Sequence, residues 1–269
     1  MILDGTLVIN LDQRSERLAD IGTRLDAVNS LGKWQRLPAV SGVDLPGFGE
    51  APWFRSGKRD MSWAGRAGCT LSHRSAILQA KQNGWSNVLI LEDDATFDEQ
   101  LDHVIQSIPD DGWDVCYLGY TDALEPYGAP TSVTETHNLI PVFGCYTTHA
   151  YILRGNVFDR LLEQLPDEHS IWPWISEHRA IDRWYSRHMT RDFRVTAVSP
   201  GVIGQITDFS DIGQRLGNDC RASEFFEPIL GSLLDPQAFQ AAARKRHLNF
   251  RIAGLGDKFR SLIKRTRGF

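Results

Sequence analysis

Cysteine is scarce in this chain: four residues among 269, at positions 69, 116, 145 and 220, with no Cys-x-x-Cys pair. A disulfide framework and a multi-cysteine zinc module are thereby excluded as organising devices, and a reducing compartment is expected. Long apolar runs are missing as well, so no bilayer-spanning helix is expected. The start, Met1-Ile2-Leu3-Asp4-Gly5, enters a short strand with no basic region ahead of an apolar core, which argues against a signal peptide. Together these absences point to the cytoplasm. There is no internal repeat and no low-complexity segment. What remains is an ordinary globular composition, 42% hydrophobic and 23% charged. The chain is long enough to bury a full core without staples.

Charge is unevenly spread. The net value is −5, yet residues 244–269 hold nine Lys or Arg against the single acid Asp257, leaving −13 on the rest. Leu255, Phe259, Leu262 and Ile263 fall on one helical stripe, with Lys258, Arg260, Lys264 and Arg265 around it. That pattern suits an amphipathic helix on an anionic membrane surface, which would make the protein peripheral on the inner face. The same stripe could instead pack on the domain. No nucleic-acid-reading motif accompanies the basic residues, so no nucleic-acid partner is expected.

The most informative stretch is Val88-Leu89-Ile90-Leu91-Glu92-Asp93-Asp94-Ala95. Four branched apolar residues read as a strand buried on both faces. Three carboxylates at its end repel one another unless a cation or polar ligand sits there. Strand alternation predicts Glu92 and Asp94 on one side and Asp93 on the other. Oxygen-only ligands at the carboxyl edge of a sheet suit Mg²⁺ or Mn²⁺ with a substrate phosphate, Asp94 and Glu92 being the candidate metal ligands. A solvated acidic turn is the competing reading.

Around it, periodicity predicts a strand over 6–11, then a helix with Leu18, Ile21, Leu25 and Val28 on one face. A long loop is expected over 44–63, a helix over 67–83 capped by Gly84, a strand over 87–92, a helix over 97–108 and a strand over 114–119. Residues 121–138 read as loop, 149–153 as strand, 156–165 and 177–188 as helices, and 194–206 as short strands. This βαβ alternation predicts one α/β domain over 1–215 with a mixed central sheet, and a helical appendage over 216–269 carrying the basic tail.

Ala64-Gly65-Arg66-Ala67-Gly68-Cys69-Thr70-Leu71-Ser72-His73, followed by the strand ending Leu91-Glu92-Asp93-Asp94, resembles glycosyltransferase family 25. That family includes bacterial lipopolysaccharide galactosyltransferases and procollagen galactosyltransferases. Val8-Ile9-Asn10-Leu11 with Arg14 and Arg17, Ala39-Val40-Ser41-Gly42, His149-Ala150-Tyr151, Asp182 and Ser210-Asp211-Ile212 extend the likeness in order from about residue 6 to 212. Arg66 departs from the pattern. The resemblance implies a GT-A-like (Rossmann-like) fold, a nucleotide-sugar donor such as UDP-galactose, Mn²⁺ or Mg²⁺, inversion at the anomeric centre, and a glycan acceptor, which a lipid could carry.

Within that frame Asn10, Arg14, Arg17, Arg66, Ser72, His73, Glu92 and Asp93 are the candidate donor contacts. Arg14 and Arg17 open a helix, where the dipole disfavours cations unless an anion is bound; pairing with Asp12, Glu16 or Asp20 is the plainer explanation. Arg55, Lys58 and Arg59 could close over a diphosphate as a lid. Ser72 and His73 are adjacent on a helix and cannot face each other, which excludes a serine–histidine nucleophile pair. Trp172-Pro173-Trp174 could stack on sugar rings or fill core. Asp182, then Glu177, are the candidate catalytic bases, the resemblance pointing at Asp182. A metal-dependent phosphohydrolase and a noncatalytic sugar- or membrane-binding protein are the rival readings.

Overall fold

The computed structural model describes residues 1–54, 60–206, 209–210, 215–216 and 233–250. The expected lid residues Arg55, Lys58 and Arg59, the expected Asp211-Ile212 block and the amphipathic stripe beyond residue 250 lie outside them.

The frame is one large mixed sheet. Strand β1 (Gly5–Asn10) is buried at every position and lies between β2 (Trp34–Pro38) and β3 (Asn87–Glu92), parallel to both. β3 continues into β9 (Ala150–Arg154), then β5 (Val115–Gly119), β10 (Val195–Ser199) and β8 (Asn138–Tyr146). β6 (Asp122–Gly128) and β14 (Leu233–Leu234) complete that edge, with β7 (Thr131–Ser132) paired to β8. β9 runs antiparallel to both its neighbours, so the sheet is mixed as expected. A ribbon of β4 (Ala95–Phe97) and β11 (Ile203–Gln205) lies past the end of β3, and β12 (Phe209–Ser210) pairs with β13 (Arg215–Leu216). Two apolar clusters cover the two faces of the sheet, one holding Leu7, Ile90, Tyr117 and Tyr151, the other Val8, Leu89, Leu91 and Ile152. The alternation of neighbouring β1 and β3 residues between the two clusters is the strand period at work.

Several elements differ from expectation for identifiable reasons. Helix α1 (Ser15–Leu25) ends before Val28, and Arg17 rather than Leu18 is buried on its inner face because it pairs with an acid there. Helix α2 spans Asp60–Gln82, starting seven residues earlier than the spacing suggests. Its first turns carry Gly65 and Gly68, poor helix formers that hide the helical period. They are there for packing. A Cβ on Gly68 would lie 2.3 Å from the Val40 carbonyl oxygen, and one on Gly42 would lie 1.8 Å from that of Ala64. Gly42→Ala is therefore expected to cost at least the upper end of the roughly 1–3 kcal/mol typical of overpacking. Thermal melts compared with Val43→Ala, an exposed neighbour, would check this.

The segment expected as loop over 121–138 contains β6 and β7. Pro126 and Gly128 mask the strand pattern, and the register with β8 shifts between Leu124 and Tyr127, where Pro126 cannot donate to the ladder. β8 itself was not anticipated. The residues expected to begin a helix at 97 close the β4 ribbon instead, and α3 is confined to Leu101–Ser107.

After α4 (Phe158–Gln164), the helix expected over 177–188 is two helices, α5 (Ile171–His178) and α6 (Ile181–Asp192). The break falls at Arg179, whose φ of 74° no α-helix accommodates. It carries Asp182 from a helix middle to a helix start. A last helix, α7, runs over 236–250 and buries Phe239 and Ala243. Its His247 ring lies 5.0 Å from Phe143 of β8, and the Arg246 guanidinium 4.4 Å from the same ring.

Candidate active site

The carboxyl end of β3 organises the site. Glu92 is the last strand residue; Asp93 and Asp94 form a turn into β4, so strict alternation stops at Glu92. The three acids acquire three different environments.

Asp93 turns to the α1 side. It accepts hydrogen bonds from Asn10 Nδ2 at 2.8 Å and Arg17 Nη1 at 3.1 Å. Asn10 also donates to the Arg14 carbonyl at 2.9 Å, and its Oδ1 accepts from Arg36 Nε at 2.9 Å. Arg14 lies 3.7 Å from Glu16. Arg14 thus pairs with an acid of its own helix, as the plainer reading had it, whereas buried Arg17, among the described residues, pairs with Asp93 at the strand end rather than with Asp12, Glu16 or Asp20. Burial, more than Asn10 and Arg17 can offset, raises the Asp93 carboxyl above its ordinary range.

Asp94 is more extreme. Burial, followed by the charge of Glu92, pushes its carboxyl up to about 7, although Gln205 Nε2 donates to it at 3.2 Å. Three acids share too little solvent to ionise freely together, and a divalent cation would relieve this. An oxygen-ligated cation held by Asp94 and Glu92 would answer that conflict.

Glu92 faces α2. Thr148 Oγ1 donates to Glu92 Oε1 at 3.1 Å, and His73 Nε2 lies 3.4 Å from the same oxygen. Burial pushes the Glu92 carboxyl up, but His73, His149 and Thr148 together hold it below the usual carboxylate range. His73 is fully buried, with Nδ1 2.8 Å from the Tyr151 hydroxyl of β9. One helical turn before it, Cys69 brings its sulfur into the same group: the ligand atoms of Cys69, His73 and Glu92 all lie within 4.8 Å of one another. Burial, then Glu92 and Asp182, raises the Cys69 thiol well above its usual range.

Asp182 reaches this neighbourhood from the start of α6. It is half-buried; its Oδ1 accepts from the Arg183 N–H at 2.7 Å and its Oδ2 from the Thr147 N–H at 3.4 Å. Thr147 has φ of 66°, costly for a β-branched residue, and its hydroxyl lies 3.0 Å from His149 Nδ1. Arg66 feels the charges of Arg183, Arg179 and Asp182; burial, then the two arginines, lowers its guanidinium. The result is a positive region beside a half-buried carboxylate, near acids at a strand end. Glu177, by contrast, is exposed near the end of α5.

Two expected contacts have structural duties. Ser72 is buried, donates to the Gly68 carbonyl at 2.7 Å and accepts from the Val40 N–H at 2.8 Å, pinning the β2–α2 connection to the helix. Trp172 is core: it is buried among Leu45, Phe54, Leu71 and Ile175, and its Nε1 donates to the Pro46 carbonyl at 2.7 Å. Trp174 is half-buried, its ring 4.9 Å from His178. An open two-tryptophan sugar platform is not formed.

Cys69, Thr148, Tyr151, Arg179, Arg183 and Gln205 were not singled out from sequence. Only the Cys69-x₃-His73 spacing, which puts both side chains on one helix face, could have announced its residue.

Residues 4–127 match the model described as glycosyltransferase family 25 (LPS biosynthesis protein). Over that span the chain is similar to the family 25 glycosyltransferases. The span covers just under half the chain and includes Asn10, Arg17, Cys69, His73 and all three strand-end acids, while Asp182 lies beyond it. No curated protein matches the chain. Among solved structures, A197 from STIV is similar at 12% identity and a TM-score of 0.39, covering 81% of this chain and 97% of that one. A glycosyltransferase involved in glycosylation of the major capsid of PBCV-1 is similar at 9% identity and 0.39, covering 78% and 96%.

Proposed function

We propose that the chain is a family 25 glycosyltransferase and moves a hexose, galactose from UDP-galactose in the first instance, onto a glycan acceptor of the lipopolysaccharide or cell-surface type. The observation that carries the reading is the acid cluster at the end of β3, with Asp94 pushed up to about 7 by its burial and its acidic neighbours. Mg²⁺ or Mn²⁺ bound there would neutralise the departing nucleotide diphosphate. Asp94 and Glu92 are the proposed ligands. Asp93, held by Asn10 and Arg17, positions the ribose side of the donor. Arg66, with Arg179 and Arg183 beside it, offers positive charge to the diphosphate. Asp182 takes the proton from the attacking acceptor hydroxyl, with Glu177 as the second candidate. One base suffices for a single displacement with inversion.

A panel of nucleotide sugars with Mn²⁺, scored for slow donor hydrolysis without acceptor, tests the reading. We expect UDP-galactose to be preferred. Release of phosphate from many simple esters, with every sugar nucleotide left intact, would favour the phosphohydrolase instead.

Among the described residues no helix is long and apolar enough to cross a membrane. Residues 244–269 are proposed to attach the enzyme reversibly to anionic lipid, where a lipid-linked acceptor would be met. At roughly 1 kcal/mol per well-placed basic residue, part of the charge suffices. Co-sedimentation with anionic liposomes should be lost at high salt and in a chain ending at Ala243. Equal partitioning of both forms would remove the idea.

A further inference from the structure

We propose that Cys69, His73 and Glu92 form a second kind of metal site, one that takes Zn²⁺ or its surrogate Co²⁺ through one sulfur, one nitrogen and one oxygen ligand. It differs from the proposed donor-site metal, which rests on oxygen ligands alone, although the two share Glu92.

The backbone supplies the geometry. Cys69 and His73 are four apart on α2, so their side chains stack on one face. That face meets the carboxyl end of β3, where Glu92 is the last strand residue. The three donor atoms lie within 4.8 Å of one another. Bonds of about 2.05 Å to nitrogen and oxygen, meeting at a tetrahedral angle, place those atoms roughly 3.3 Å apart. His73 Nε2 and Glu92 Oε1 are 3.4 Å apart, long for a hydrogen bond but suited to two ligands of one ion. The sulfur lies within 4.8 Å of both, and a Zn–S bond of about 2.3 Å would bring it to roughly 3.6 Å from each.

The surroundings resemble those that orient metal-bound histidines. His73 Nδ1 is 2.8 Å from the Tyr151 hydroxyl, itself 3.5 Å from that of Tyr185. Without an ion, Nε2–H can donate to Glu92 while the Tyr151 hydroxyl donates to Nδ1; in the other tautomer, Nδ1–H donates to Tyr151 and the Nε2 lone pair is free for a cation shared with Glu92. His73 and Tyr151 are fully buried, so the ring cannot turn away to water. A sulfur–nitrogen–oxygen set selects zinc-like ions over Mg²⁺. Three protein ligands leave a fourth position for water or a substrate atom, the pattern of catalytic rather than structural zinc. Because Glu92 also belongs to the strand-end cluster, an ion held by α2 would withdraw one carboxylate from the donor-site metal.

The test is titration of the chelator-treated full chain with Co²⁺ alone, followed in the near ultraviolet for thiolate-to-cobalt charge transfer, then displacement by Zn²⁺. The wild type should show the band and lose it to Zn²⁺. Cys69→Ser should abolish it, while Cys220→Ser and Asp94→Asn should keep it. Tyr151→Phe should weaken Co²⁺ binding about 10–100-fold, the usual effect of removing a partner that orients a ligand. Circular dichroism checks that each variant is folded, and if Cys69→Ser is not, Tyr151→Phe decides. No band in the wild type, an equal band in folded Cys69→Ser, or unchanged affinity in Tyr151→Phe would overturn the site. A band kept in Asp94→Asn that has lost Mn²⁺-dependent transfer shows that the two metal readings stand or fall separately.

Discussion

Asp94→Asn is expected to abolish Mn²⁺-dependent transfer while making the metal-free protein more stable at neutral pH. The two effects share one cause. Asp94 is half-buried beside Glu92 and Asp93, and its carboxyl is pushed up to about 7 in the folded chain, against an ordinary value near 4. A carboxylate whose folded pKa is raised binds its proton more tightly folded than unfolded. Its neutral form is tolerated at low pH, and stability falls as pH rises from about 4 through about 7. Melting temperature in chelator should therefore decline across that window. In Asp94→Asn, which is nearly isosteric and cannot ionise, this part of the decline should vanish, leaving the variant ahead of wild type at pH 8. Added Mn²⁺ should restore the wild type and do little for the variant. Full transfer by Asp94→Asn at saturating Mn²⁺ and donor would exclude Asp94 as a ligand. An unchanged pH slope would separately show that Asp94 carries no ionisation strain.

Much of this arrangement was legible in the chain, and what was not has physical reasons. The run Val88–Leu91 could be read as a doubly buried strand because its whole length is apolar, and it lies inside the sheet between β1 and β9. The acids after it could be read as a site because like charges at one point need a reason. Their directions could not be read, since alternation holds only in strands and Asp93 and Asp94 belong to a turn. The start of α2 was obscured by Gly65 and Gly68, of which Gly68 is needed for contact with the Val40 segment, a partner remote in sequence. β6 and β8 were hidden by prolines that a near-edge pair tolerates at an irregular register. Trp172 shows the limit of residue-type arguments: the same indole would suit a sugar platform, but the Phe48 and Phe54 rings enclose it. Whether a tryptophan is platform or core depends on what the fold brings to it.

Asp182→Asn is expected to lower transfer by on the order of 10²–10⁴-fold, the usual worth of a general base, with donor binding retained. The prediction depends on the break at Arg179. In an unbroken helix over 177–188, Asp182 would be a mid-helix side chain one turn and a little beyond Glu177. With α5 ending at His178 and α6 starting at Ile181, it opens a new helix. There its carboxylate accepts from its neighbour's N–H and from Thr147, whose left-handed backbone the surrounding fold sustains. Orientation by backbone donors and partial exposure suit a group that must meet an incoming hydroxyl in one direction. Asparagine keeps the size and, through its carbonyl oxygen, the short 2.7 Å bond from the Arg183 N–H; its amide nitrogen can replace only the longer Thr147 acceptor site, at 3.4 Å, without accepting there, so the fold should survive and proton transfer should be the main loss. The diphosphate contacts assigned to Arg66 and the acids of β3 do not involve this proton. UDP-galactose affinity, measured by calorimetry with Mn²⁺, should therefore change by less than about threefold, within the effect of a surface substitution. A crippled Glu177→Gln beside a mild Asp182→Asn would reverse the two roles. Equal loss of donor binding and turnover in Asp182→Asn would instead make Asp182 an anchor for the arginines around it.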